Sequence, residues 1–148
     1  METNMQVKIF FDDVSVYKYT PLEAFQGRLL HLLVDAPCAL TCRTNKGNHF
    51  IVVNEYFAVL SERVQEACVL HEVGHILNNH LDPKYATNGD NFICIEEFEL
   101  EADRYAASKG YALELAGLLK ALKPSSKNPE FTERRISALH EYAVQSQR

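Results

Sequence analysis

The sequence predicts an α+β domain that is mainly helical, with a small antiparallel sheet packed beside one central helix. Three observations predict it. After Leu60 most of the chain repeats apolar residues at helical spacing, with capping residues before these runs and breakers after them. Ahead of them, two strand-like runs, Cys38–Arg43 and His49–Val53, flank the polar turn Asn45-Lys46-Gly47-Asn48. The chain has 148 residues, 47% hydrophobic and 24% charged, which suits one domain around a single core.

Taken in order, Val7 to Phe11 reads as a short strand or an arm. Thr20-Pro21-Leu22-Glu23 is a capping box with proline at the first helical position. It predicts a helix to about Val34 that buries Phe25, Leu29, Leu32 and Leu33, with His31 at its surface or at the core edge. Pro37 ends that region. In the turn between the two strands, asparagine and glycine supply the positive φ values a hairpin needs. His49 alternates with apolar neighbours and is expected to face outward, and Asn54 to Leu60 links the second strand to the central helix.

The central helix starts at Ser61, a good cap, with Glu62 in the first turn where the helix dipole favours a carboxylate. Val64, Ala67, Cys68 and Leu70 form an apolar stripe that runs into His71 and His75. Ile76 and Leu77 continue it, and Pro83 marks a stop beyond His80. Residues 71–75 spell H-E-x-x-H. Residues four apart on a helix share a face, so His71 and His75 can grip one metal ion. Glu72 comes off the adjoining turn and can reach a water on that ion as general base. A catalytic zinc needs a third protein ligand and one open position.

That ligand is expected downstream. Asp82 to Asp90 is polar, with proline and glycine, and reads as a loop near the cleft. The helix-friendly run from Glu96 to Ala107 follows, where Glu99 and Asp103 share a face. Ala102 and Ala106 beside them are small enough to let two helices approach closely. Glu99 is assigned as the third ligand, with Glu96, one turn earlier, as the alternative. Asp103 is assigned to accept the free ring N–H of a ligating histidine, which fixes its tautomer. Glu97 and Glu101 are expected in solvent. This helix should end near Gly110. Tyr111 to Leu122 is a core helix with Leu115, Leu118, Leu119 and Leu122 on one face. Lys123 to Pro129 is a break, and Asn128 caps a last helix from Pro129 to about Gln145 that packs through Phe131, Ile136, Leu139 and Ala143.

These residues together resemble a known group. His71-Glu72-Val73-Gly74-His75-Ile76-Leu77-Asn78-Asn79-His80 matches H-E-x-G-H-x-L-x-x-H, and Glu99-Leu100-Glu101-Ala102-Asp103-Arg104-Tyr105-Ala106 matches E-x-E-A-[ND]-x-[FY]-A. Both patterns resemble the ImmA/IrrE group of gluzincin metallopeptidases, over about Gly47 to Ala107. The resemblance implies a minimal zincin-like domain and Zn²⁺ as cofactor. It agrees with Glu99 as ligand, and it implies a sheet edge beside the metal helix that holds substrate extended by backbone pairing. It also implies the substrate class, a helix-turn-helix transcriptional repressor cut in mobile-element or stress-response regulation.

The expected activity is that of a zinc-dependent endopeptidase. Glu72 takes a proton from the attacking water and passes it to the leaving amine. His80 and Tyr85 are the candidates for hydrogen-bonding the oxyanion. The alternative is a noncatalytic zinc-binding antirepressor or protein-interaction module of the same fold, against which the intact Glu72 speaks. A net charge of −5 argues against a general nucleic-acid or anionic-membrane binder. No run approaches the roughly 20 apolar residues that span a bilayer. Met1 to Phe11 lacks a basic start followed by an apolar run, so no signal peptide is expected and the cytoplasm is the expected location. The four cysteines form no C-x-x-C pair and are expected as reduced thiols. Oligomeric state has no signal in the sequence.

Overall fold

A computed structural model describes residues 5–7, 14–18, 29–32, 39–44, 49–53, 55–82, 86–87, 91–92 and 96–147. Helices carry most of these residues. They are α1 (Glu55–Ala58), α2 (Glu62–Leu77), α3 (Glu96–Ser108), α4 (Ala112–Leu122) and α5 (Pro129–Gln145), with one 3₁₀ turn at Lys123–Ser125. Their boundaries have local causes. The Ser61 hydroxyl accepts a hydrogen bond from the Val64 N–H and starts α2. Asn128 does the same for the Phe131 N–H, with Pro129 at the first position of α5, as the sequence predicts. Gly110, at φ 94°, ends α3 in the left-handed conformation.

The end of α2 follows the same rule with asparagine. Asn79 has φ 56°, its N–H bonds to the Ile76 carbonyl at 3.1 Å, and the His80 N–H bonds to the His75 carbonyl at 3.0 Å. This pair of bonds is a Schellman reversal, and asparagine is the residue besides glycine that adopts it at low cost. The chain therefore doubles back, and His80 folds against the helix it has just left.

The strands are β1 (Met5–Val7), β2 (Val14–Lys18), β3 (Leu29–Leu32), β4 (Ala39–Thr44), β5 (His49–Val53), β6 (Ala86–Thr87) and β7 (Asn91–Phe92), in the order β1-β2-β5-β4-β3-β7-β6. β4 and β5 pair antiparallel from Ala39↔Val53 to Arg43↔His49, close to the two runs read from the sequence. The pairing differs from the small antiparallel sheet expected, because β2 joins β5 in parallel and β3 joins β7 in parallel. With neighbours on both edges, β5 is buried from Phe50 to Val53 rather than alternating, and His49 is half-buried rather than facing outward.

A second correction concerns the helix expected up to Val34. Leu29 to Leu32 is a strand paired with β4. A short leucine-rich run fits either element by periodicity, and here cross-strand pairing decides. The capping box at Thr20 lies outside the described residues, as do residues 8–11 of the first expected strand and the turn at 45–48. The loop expected over 82–90 contains β6.

The core joins Ile51 and Val53 of β5, Phe57 of α1, Leu70 and Val73 of α2, Ala106 of α3, Leu115 and Leu119 of α4, and Ile136 and Leu139 of α5. α2 packs against α3, α4 and strands β4 and β5, and residues Ala67 to Ile76 are all buried. α3 lies against it at very short range. A Cβ at Gly74 would fall 2.9 Å from the Ala102 Cα. Glycine facing alanine lets the two backbones approach this closely, and it sets the distance across which the site is built. Among the described residues no helix is long and apolar enough to cross a membrane.

Candidate metal centre

The central feature is a convergence of side-chain atoms between α2 and α3. His71 and His75, four apart on α2, bring their Nε2 atoms within 3.2 Å of each other. Glu99 enters from α3. Its Oε2 lies 2.9 Å from His75 Nε2 and 3.5 Å from His71 Nε2. His71 and His75 are buried, and Glu99 is nearly so. The Glu99 oxygen is close to both ring nitrogens yet makes no aligned hydrogen bond with either. Two nitrogens and an oxygen converging on one spot, the oxygen buried without an aligned donor, are what a cation requires.

The triangle can be tested against zinc. Bonds of about 2.0–2.1 Å in a tetrahedral site put neighbouring ligand atoms about 3.3–3.4 Å apart. The three observed edges, 2.9, 3.2 and 3.5 Å, bracket that value. His71, Glu72 and His75 also form a buried group able to hold a metal ion. Glu72 is committed elsewhere, however. Its Oε1 accepts a 2.6 Å hydrogen bond from the Thr41 hydroxyl, and its Oε2 stands 3.6 Å from His71 Nε2. Glu72 therefore faces the same spot from one side, held by the sheet, while Glu99 closes the triangle.

Each of the two histidines is backed by a second group. His71 Nδ1 lies 2.8 Å from Asp103 Oδ1, which puts Asp103 beside the ring as expected, although the pair is not aligned as a hydrogen bond. Asp103 is in turn gripped by Arg135 of α5 through two parallel bonds, Nε to Oδ2 at 2.7 Å and Nη2 to Oδ1 at 2.8 Å. This fork geometry fixes the carboxylate plane as well as its charge. His75 Nδ1 lies 2.8 Å from His80 Nδ1, and His80 Nε2 is 3.5 Å from Glu101 Oε1.

The electrostatics favour positive charge at the centre. Burial works against a charge on His71, but the carboxylates of Glu99 and Asp103 prevail and hold it up to about 10. Burial also opposes ionised Glu99, yet the two histidines, His71 foremost, keep it well below the usual carboxylate range. Asp103 is likewise buried and likewise held low, by Arg135 first and His71 next. Burial, and then the neighbouring His75, push His80 down to about 4. Two buried carboxylates beside the imidazoles make this a place where positive charge is favoured, whether from a proton or from a cation.

The structure brings His71, Glu72, His75, Glu99 and Asp103 together as the sequence predicts. It separates two other assignments. His80 is fully buried behind His75, on the ring edge opposite the converging Nε2 atoms, so it does not face an oxyanion. The Schellman reversal at Asn79 places it there. Glu96, the alternative ligand, points to the surface, where its carboxylate meets Arg134 and Asn128 at 3.4 Å. Glu101, expected in solvent, is partly covered and turned to His80. Tyr85 lies outside the described residues.

Two contributors escaped the sequence reading, and a third, His80, was expected in another role. Thr41 reaches Glu72 across 31 residues, and Arg135 reaches Asp103 across 32. Neither sits in a motif, and pairs this distant in sequence leave no periodic trace. His80 does sit in the motif, and the Asn-Asn that precedes it was the available signal that the helix would turn back there. No protein-family model, no curated protein and no solved structure matches this chain.

Proposed function

We propose that the protein is a zinc-dependent endopeptidase in which His71, His75 and Glu99 hold the ion and Glu72 is the general base. The observation that carries this reading is the triangle of converging atoms, whose edges of 2.9–3.5 Å suit tetrahedral zinc. Two imidazoles and one carboxylate leave a fourth position open, as a catalytic site needs. The chemistry a bound zinc supplies is Lewis acidity, which polarises a carbonyl and brings the pKa of a water towards about 7.

The chain's own residues do the rest. Glu72 takes a proton from the attacking water and delivers it to the leaving amine. The Thr41 hydroxyl holds one Glu72 oxygen, so the other is free to face the reacting atoms. Asp103, fixed by Arg135, orients the His71 ring. A pure binding module has no use for a carboxylate positioned in this way, which favours catalysis over the noncatalytic alternative.

The substrate class follows from the resemblance to ImmA/IrrE metallopeptidases, carried by His71 to His80 and Glu99 to Ala106. On that basis the substrate is a helix-turn-helix repressor in the cytoplasm; the strands packed most closely against α2, β4 and β5, are paired on both sides, so the sheet edge that the resemblance implies does not lie at that helix. The buried thiol Cys68 and the lack of a membrane-crossing helix among the described residues are compatible with that location.

The test uses Glu72→Gln as a trap. The variant should bind zinc like the wild type, by elemental analysis, and retain a protein partner in a pull-down. Wild-type protein with zinc should then cut the captured partner, and Glu72→Gln should be slower by several orders of magnitude. A Glu72→Gln variant that cleaves at the wild-type rate, or a wild-type protein that takes up no zinc, refutes the proposal.

A further inference from the structure

His80 is unused by the mechanism above, yet it is among the most buried polar residues and touches a ligand. We infer that His80 is a positioning residue that fixes the tautomer of His75, with a neutral imidazole in the place where Asp103 serves His71. The inference rests on the reading of His75 Nε2 as a metal ligand and deepens it.

Hydrogen counting fixes the direction of this contact. His75 Nδ1 and His80 Nδ1 are 2.8 Å apart. Two ring nitrogens at that distance share a single hydrogen, so one donates and the other accepts. A neutral imidazole that offers Nε2 to a metal carries its hydrogen on Nδ1. His75 is then the donor, and His80 Nδ1 is the acceptor. The hydrogen of the His80 ring consequently sits on Nε2, which is buried 3.5 Å from Glu101 Oε1 without an aligned hydrogen bond. The row from the converging Nε2 atoms outward therefore has one polarity, with each hydrogen aimed away from the ion.

The surroundings hold His80 in that pose without relying on its charge. Its backbone N–H bonds to the His75 carbonyl, so the two residues are tied by main chain and ring together. The ring lies flat on Phe98, with centroids 4.0 Å apart and an interplanar angle of 8°. Phe98 immediately precedes Glu99, so the same stack connects the backing of His75 to the element that carries the third ligand. A Schellman reversal normally closes with an apolar contact between its two ends. Here that contact is between two histidines, whose buried Nδ1 atoms meet at hydrogen-bond distance.

Three forms of the full chain test this, with zinc alone as the probe. In wild-type protein loaded with zinc, two-dimensional ¹H–¹⁵N correlation of the imidazoles should show His75 protonated on Nδ1 and His80 protonated on Nε2. His80→Phe keeps the stack on Phe98 but removes the acceptor, and its zinc affinity should fall about 10- to 100-fold. His80→Asn returns an acceptor near the position of Nδ1 and should recover most of that loss. A zinc-loaded wild type with His80 protonated on Nδ1 overturns the inference and leaves the zinc site standing. So does His80→Phe binding zinc within twofold of wild type, or His80→Asn binding no better than His80→Phe. A wild type that binds no zinc overturns the inference and the proposed function together.

Discussion

Gly74→Ala adds one carbon at the closest approach of α2 and α3. That carbon would lie 2.9 Å from the Ala102 Cα, 3.0 Å from the Ala102 carbonyl oxygen and 3.1 Å from the Tyr105 Cβ. Ordinary carbon contacts are about 3.5–4.0 Å, so α3 must retreat by roughly 0.5–1 Å. Two terms act on stability. Overpacking costs about 1–3 kcal/mol, and alanine in place of glycine in a helix gains about 1 kcal/mol. The net loss is therefore modest, about 0–2 kcal/mol. Metal binding tolerates less. Ligand distances must hold to about 0.2 Å, and Ala102 lies between Glu99 and Asp103 on the helix that moves. Zinc affinity should fall at least about tenfold, read by competition with a chromophoric chelator alongside thermal unfolding.

Gly117→Ala is the matched control. Gly117 sits exposed in α4, and nothing lies within 4 Å of a Cβ built there. The same added carbon should stabilise by about 0.5–1 kcal/mol and leave zinc affinity unchanged. Gly74→Ala with zinc affinity within twofold of wild type would show that close helix approach does not set the ligand geometry.

Arg135→Gln removes one partner of a largely buried pair and should destabilise by about 3 kcal/mol, with weaker zinc binding, by chemical denaturation and chelator competition. It should also move acid unfolding to higher pH, followed by circular dichroism. Asp103 is held below its ordinary value in the fold, so its contribution is present above the unfolded value and lost as pH falls through the folded one. Without Arg135 that loss comes earlier on acidification. Thr41→Val keeps the side-chain shape but strips Glu72 Oε1 of its donor, which should slow cleavage while zinc content is retained, and Thr41→Ser should restore activity. Zinc at 1,000 times its dissociation constant should stabilise the protein by about 4 kcal/mol over the chelator-treated form. For a domain of this size that raises Tm by roughly 8–16 °C, and equal melting curves with and without chelator would count against a resident ion.

What the sequence determined by itself is the part that short-range rules govern. Ser61 and Asn128 set helix starts through their own side chains, and Gly110 ends a helix through its own backbone freedom. His71 and His75 share a face because four residues are about one turn, and the same spacing puts Glu99 and Asp103 together. Tertiary structure decided what depends on distant partners. Leu29 to Leu32 became a strand because β4 lies beside it, not because of its own pattern. The sheet became mixed because β2 joined β5 in parallel, a choice no local spacing encodes. Thr41 and Arg135 entered the site only when β4 and α5 packed against it. His80 kept its place in the motif but exchanged its expected role, because one left-handed asparagine turned the chain and set its ring behind His75. A motif records which atoms can converge; which face of each ring meets water and which meets protein is settled by packing across the chain.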